Sequence, residues 1–363
     1  MRSYRGFTRR VDPDPQGLID TILRKGTPRR VFHMELFQDA EIRNAIAERF
    51  DLAKGLDRSD PDYEKRLYIA VQRFCGFDYV RVALDDVEWP LHKATIRDVA
   101  GLERSGGRSY QDEHTGPIMS MADFDAYPWP DVSRPSVTRS LEWYERNLPE
   151  DMCIVSGSAS HFCELLTWLM GYESFCYALY DNRELVLRIR DKLLEIYRKV
   201  TELYLGFERL RIVFASDDMG FRSGLLFGRQ DMIELVLEPH ARMSRMCHDA
   251  GRLYLLHTCG NMSGIMDYLI DEVRIDGKHS FEDTIEDVRD VKKSYGRRTG
   301  IIGGIDVDFL CRSDEKAIRK RVRETLEVCH PGGGFCLGTG NSVTNYVPLE
   351  SYLAMVDEGR LWA

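Results

Sequence analysis

Short apolar runs alternate with long amphipathic stretches along the 363-residue chain, and that alternation predicts its elements. Residues 14–26 carry a helical pattern, and RVFHME at 30–35 reads as a first strand. A polar, helical region at about 39–74 leads to FDYVRVAL at 77–84, whose period-two alternation predicts a second strand. Residues 85–137 break the rhythm with Pro90, Gly101, Gly106, Gly107, Pro117, Pro128, Pro130 and Pro135, which predicts an irregular insertion with a small hairpin and a lid role. Beyond it, strands are expected at 153–157, 211–216, 252–257, 273–278, 300–305 and 333–337. Helices are expected at 137–147, 160–170, 182–206, 229–250, 262–271, 283–295, 313–329 and 348–359. Eight strands alternating with helices is the count of an α/β chain closed into a (β/α)8 TIM barrel. The expectation is one domain spanning 1–363, with N-terminal helices and the 85–137 insertion after strand 2 over the barrel mouth. A doubly wound open sheet is the structural alternative.

Composition narrows the function classes. With 43% hydrophobic and 30% charged residues this is a globular composition, and a formal net charge of -9 without a long basic run argues against nucleic acid or an anionic membrane as partner. Nine cysteines at irregular spacing form no disulfide framework, and the N-terminus MRSYRGFTRR lacks an apolar leader core, so a reducing cytoplasm is expected. The chain has no apolar run of about 18 residues that would span a membrane. Small-molecule chemistry is the remaining class, with oligomeric state left open and a homodimer among the options.

The chemistry concentrates at the predicted carboxyl ends of strands. RLYLLHTCG at 252–260 is a buried strand that stops at a loop, and side chains two apart in an extended backbone point the same way, so His257 and Cys259 converge. An imidazole and a thiolate are half of a zinc site. GGGFCLGTGN at 332–341 repeats the arrangement with Cys336, so His257, Cys259 and Cys336 are expected as a metal tripod above the barrel axis. Three protein ligands leave zinc an open position, as catalytic sites do; a core histidine beside an unrelated cysteine is the blander reading. Asp217, Asp218 and His279 are candidate catalytic residues, against helix capping or solvation. Glu35, Glu164, Asn261 and Asn341 complete the rim as candidate substrate-binding residues, although Glu164 reads equally as a buried, paired carboxylate. The other cysteines, such as Cys75, Cys163, Cys176 and Cys329, read as inert fillers, and Gly303, Gly304 and Gly332–Gly334 as tight turns.

Five segments carry a resemblance: ASDDMGFRSGLLF (215–227), LLHTCGN (255–261), IIGGIDVD (301–308), PGGGFCLGTGN (331–341) and VPLESYLAM (347–355). From about Leu18 to Trp362 the chain resembles the uroporphyrinogen decarboxylase superfamily, and its H-x-C with a later cysteine resembles the zinc-dependent, corrinoid-linked methyltransferase branch. The resemblance implies a (β/α)8 barrel with a deep pocket and zinc on His257, Cys259 and Cys336. It also implies methyl exchange between a small thiol or a methoxy- or methylamine-type substrate and the cobalt of a corrinoid on a separate protein. The chain has no D-x-H-x-x-G cobalt-ligating motif of its own. The alternative is a cofactor-free decarboxylase of the uroporphyrinogen type, but the R-Q-A-G-R motif of that enzyme has no counterpart in RRVFHMELFQ at 29–38.

Overall fold

The computed structural model describes residues 6–104, 107–157 and 159–362. The basic N-terminus read above therefore falls partly outside the described residues, as does Gly106 of the insertion. Seven parallel strands pair side by side: Tyr79–Val82, Cys153–Ser156, Leu210–Ser216, Leu253–His257, Gly277–His279, Gly300–Ile302 and Phe335–Cys336. Period two explains how both faces are buried. Cys153, Val155, Ile212, Phe214, Leu253 and Leu255 enter one apolar cluster, while Ile154, Val213, Ala215, Tyr254 and Leu256 enter a second with the surrounding helices.

The expected first strand is the principal difference from the eight-strand expectation. Residues 30–35 form no strand, and His33 makes a single parallel bridge to Leu337. The Met34 amide donates to the Leu337 carbonyl at 2.9 Å and the Leu337 amide to Phe32 at 2.8 Å. Toward the other edge of the sheet the segment is held by side chains. The Tyr79 hydroxyl meets the Glu35 amide at 3.0 Å, and the Arg81 guanidinium donates to the Leu36 carbonyl. The sheet thus curls into a barrel-like wall whose last side is an irregular segment.

The insertion contains the expected hairpin, Lys93–Ile96 against Arg108–Gln111. The helical expectations are redrawn at 262–271, where Met266–Tyr268 runs into a π-helical stretch Leu269–Val273, and at two further places. Residues 229–250 form Arg229–Met232, a π-helical stretch Ile233–Leu237 and Glu238–Asp249, as Pro239 removes a donor from the helical ladder. Helix Tyr172–Asp181 was not anticipated, and Gly171 (φ +78°) separates it from Phe162–Met170. No described helix is long and apolar enough to cross a membrane.

Candidate metal centre

Strand Leu253–His257 continues the inward phase of Leu253 and Leu255 into His257, which is buried, and the chain then turns at Cys259. Gly260 makes that turn possible. Its φ is +92°, and a Cβ there would lie 2.2 Å from the Gly220 carbonyl. On the neighbouring strand Ser216 is in register with His257, so Asp217 and Asp218 emerge beside it.

Asp218, His257 and Cys259 each place one ligand atom within 4.8 Å of the others. The His257 Nε2 lies 3.4 Å from the Asp218 Oδ1 and 3.5 Å from the Cys259 Sγ. Ligand atoms 2.0–2.3 Å from a shared tetrahedral centre are roughly 3.3–3.7 Å apart, so the spacing fits zinc.

The hydrogen bonds behind His257 determine its tautomer. The Thr339 carbonyl can only accept, so the His279 Nε2, 3.1 Å away, carries a hydrogen. Burial holds His279 well below the usual imidazole range, so its Nδ1 is bare. The 2.7 Å contact between the two Nδ1 atoms then requires hydrogen on the His257 Nδ1, leaving the His257 Nε2 lone pair facing Asp218 and Cys259. Burial likewise depresses the basicity of His257. Burial opposes the charge on Asp218, while the Cys259 amide, 2.8 Å from Oδ1, favours it. Burial pushes the Cys259 thiol well above its ordinary range, so a cation is needed to draw off its proton near neutrality. A carboxylate, a neutral imidazole aimed by a second ring and a thiol form a zinc-type donor set.

The remaining candidates separate clearly. Asn341 belongs to the cluster, its Nδ2 donating to the Cys259 Sγ at 3.4 Å. Cys336 does not. It is fully buried in register with Ile302, and the charged groups that act on its thiol are Asp78, Lys292 and Arg30, none of which belongs to the cluster. The expected tripod is corrected accordingly: Cys336 precedes by five residues the point where its segment reaches Cys259. Asp217 is also corrected as a free catalytic acid or base, because both its oxygens are engaged. They accept from the amides of Phe162, Cys163 and Glu164, all at 2.9 Å, and contact the His240 Nε2 at 2.8 Å. It caps the helix that begins at Phe162. Asn261 closes a local turn through Ser263.

Glu35 is buried against Thr339, which approaches through its amide at 3.0 and 3.1 Å and its hydroxyl at 2.6 Å. The same hydroxyl also faces the Asn341 carbonyl, which can only accept. Burial pushes Glu35 up to about 8, against the hydrogen bonds from the Thr339 hydroxyl and amide, which favour its charged form.

Three groups escaped the sequence reading. His161 faces Glu164 at 2.7 Å across the start of the helix, a spacing of three that was visible in HFCE. Burial opposes charge on His161, but Glu164 outweighs it and raises the ring, while burial drives Glu164 up to about 7. Arg81 donates to the carbonyls of Ser156 (3.1 Å), Gly157 (3.0 Å) and Leu36. Lys278, lowered to about 8 by burial, donates to the Ser280 carbonyl, and the Ser280 hydroxyl lies 3.8 Å from the Cys259 Sγ. No signal in the chain marks either cation, since alternation alone cannot tell a buried lysine or arginine from a solvated one.

A cavity of about 340 Å³ lies at the end of the sheet, lined by Arg43, Tyr68, Arg81, Gly157, His161 and Ser216 among others but by none of Asp218, His257 and Cys259. A larger one of about 730 Å³ adjoins it under the insertion, and both count Ala83 and His161 in their walls.

Comparison with known proteins agrees with this architecture. A solved methyltransferase from Methanosarcina mazei superposes with a TM-score of 0.63 at 16% identity, covering 96% of this chain and 98% of that one. At that identity the likeness is one of fold. A comparison with curated protein sequences found no match. The profile of the family described as uroporphyrinogen decarboxylase (URO-D) matches residues 80–362. Over most of its length, therefore, the chain belongs to the uroporphyrinogen decarboxylase family.

Proposed function

We propose that the protein is a zinc-dependent methyltransferase that exchanges a methyl group between a small thiol or methylated substrate and the cobalt of a corrinoid on a separate protein. Residues 31–38 serve as the irregular eighth member of its (β/α)8 ring. The observation that carries the reading is the Asp218–His257–Cys259 cluster, with ligand separations of 3.4 and 3.5 Å and the free imidazole nitrogen aimed into it. The fold likeness to a methyltransferase supports the reading. Zinc held there would supply Lewis acidity to a thiol or to the heteroatom of a methylated group. The chain's own residues do the rest. His279 and Thr339 hold the His257 tautomer, Asp218 adds the negative charge, and Asn341 and Ser280 flank the sulfur. His161, paired with Glu164, stands in the cavity wall as a group that can exchange a proton near neutral pH.

Metal analysis tests this directly. Freshly purified protein is expected to hold about one zinc per chain. His257→Ala and Cys259→Ala are expected to lose at least about tenfold in zinc affinity, and Asp218→Ala to lose less, whereas Cys336→Ser keeps its zinc. Substoichiometric metal that none of these changes alters would sink the reading. A decarboxylase is the second reading, favoured by Arg43 and Arg81 in the mouth as carboxylate-binding groups. It predicts activity that survives loss of Cys259, and Arg81 already donates to three carbonyls.

A further inference from the structure

Glu35 is a buried carboxyl that no step of the proposed chemistry uses, yet its partner Thr339 leads to the metal cluster by two routes. The Thr339 amide donates to the Glu35 oxygens at 3.0 and 3.1 Å, and the Thr339 hydroxyl lies 2.6 Å from one of them. On the first route the Thr339 carbonyl accepts from the His279 Nε2 at 3.1 Å, and the His279 Nδ1 lies 2.7 Å from the His257 Nδ1. On the second the Thr339 hydroxyl reaches the Asn341 carbonyl, and the Asn341 Nδ2 donates to the Cys259 Sγ at 3.4 Å. Thr339 itself stands between Gly338 and Gly340, which bring no side chain to fix it. Neither position has room for one. A Cβ at 338 would lie 2.1 Å from the Met34 carbonyl oxygen, and one at 340 would lie 1.9 Å from that of Phe281. The Gly340 amide and carbonyl pair with Ile305 at 2.7 Å and Phe281 at 2.9 Å, whereas the Thr339 amide takes Glu35 as its acceptor.

We infer that Glu35 is a positioning residue for the metal centre, fixing through Thr339 both the tautomer of His257 and the place of the Asn341 amide beside Cys259. The inference rests on the zinc reading of the cluster and goes beyond it, because it makes a residue of the irregular segment that closes the barrel wall part of the donor geometry. Groups that orient a metal ligand from behind set its affinity as well as its angle. If wall closure were the whole role of Glu35, its loss would lower stability and leave the donors of the folded protein as they are.

Three measurements on the full chain test it: zinc affinity by competition with a chelator, imidazole nitrogen NMR of histidine-labelled metal-free protein, and urea unfolding. Glu35→Ala is expected to weaken zinc at least about tenfold and to replace the single His257 tautomer by a mixture. Glu35→Gln keeps an acceptor for the Thr339 amide and is expected to stay within about threefold of wild type with one tautomer. Thr339→Val, which removes only the hydroxyl, is expected to fall between them and Thr339→Ser to restore binding, so this pair decides the matter should Glu35→Ala fail to fold. A Glu35→Ala protein that loses urea stability but keeps one His257 tautomer, or keeps the zinc affinity of a zinc-holding wild type, overturns the inference and leaves the metal reading standing. An equal loss in Glu35→Gln overturns it too, as does wild-type behaviour of Thr339→Val where that pair decides. A wild type that binds no zinc, yet loses its single His257 tautomer in Glu35→Ala, upholds the positioning role and defeats the metal reading.

Discussion

Single atoms decide what each rim residue is for. Asp217 and Asp218 are adjacent and identical in type, yet one engages both oxygens on helix amides and His240 while the other faces His257. Asp217→Ala is expected to destabilise the fold by roughly 2–4 kcal/mol in urea unfolding, because three helix amides and a buried imidazole lose their acceptor. An unchanged midpoint would remove the capping role. The pairing of His257 with Cys259 was legible from their spacing of two. Which later residue joins them was not, since Cys336 and Asn341 stand in the same glycine-rich run and only the path of that run places Asn341 at the sulfur.

Elements bring these atoms together through their ends. Strand Leu253–His257 delivers the imidazole, and the turn at Gly260 brings Cys259 back toward it. Gly260→Ala forces a Cβ into the Gly220 carbonyl at a backbone angle that alanine resists, so zinc affinity is expected to fall at least about tenfold. Gly264→Ala, with open space around its Cβ position, is the control that should leave binding unchanged. Equal zinc binding by both variants would show that the turn does not set the site. The helix starting at Phe162 is capped from a different strand, which is why the pairing of His161 with Glu164 at its start could not be ranked from local pattern alone.

At the scale of the whole molecule, closure between the first and last segments runs through Glu35 and Thr339. A carboxyl raised from 4.5 to about 8 on folding gives stability that is complete below about 4.5 and is lost as pH climbs toward about 8. The urea midpoint of the wild type is therefore expected to fall between pH 5 and 8, by at most roughly 1.4 kcal/mol per pH unit from this group, and to fall less in Glu35→Gln. Parallel pH profiles for the two proteins would show that Glu35 is already ionised in the fold.

By itself the chain determined its alternating architecture, the places of seven strands, the hairpin in the insertion and the His257–Cys259 pair, because these follow from side-chain period and local turn chemistry. Tertiary structure decided the rest: that residues 30–35 close the wall by one bridge and side chains, that Asp218 rather than Cys336 completes the cluster, that His161 is half-buried against Glu164, and that Lys278 is buried. Those outcomes depend on how far each strand is displaced against its neighbours and on which carbonyls remain to be satisfied, quantities that no window of sequence contains.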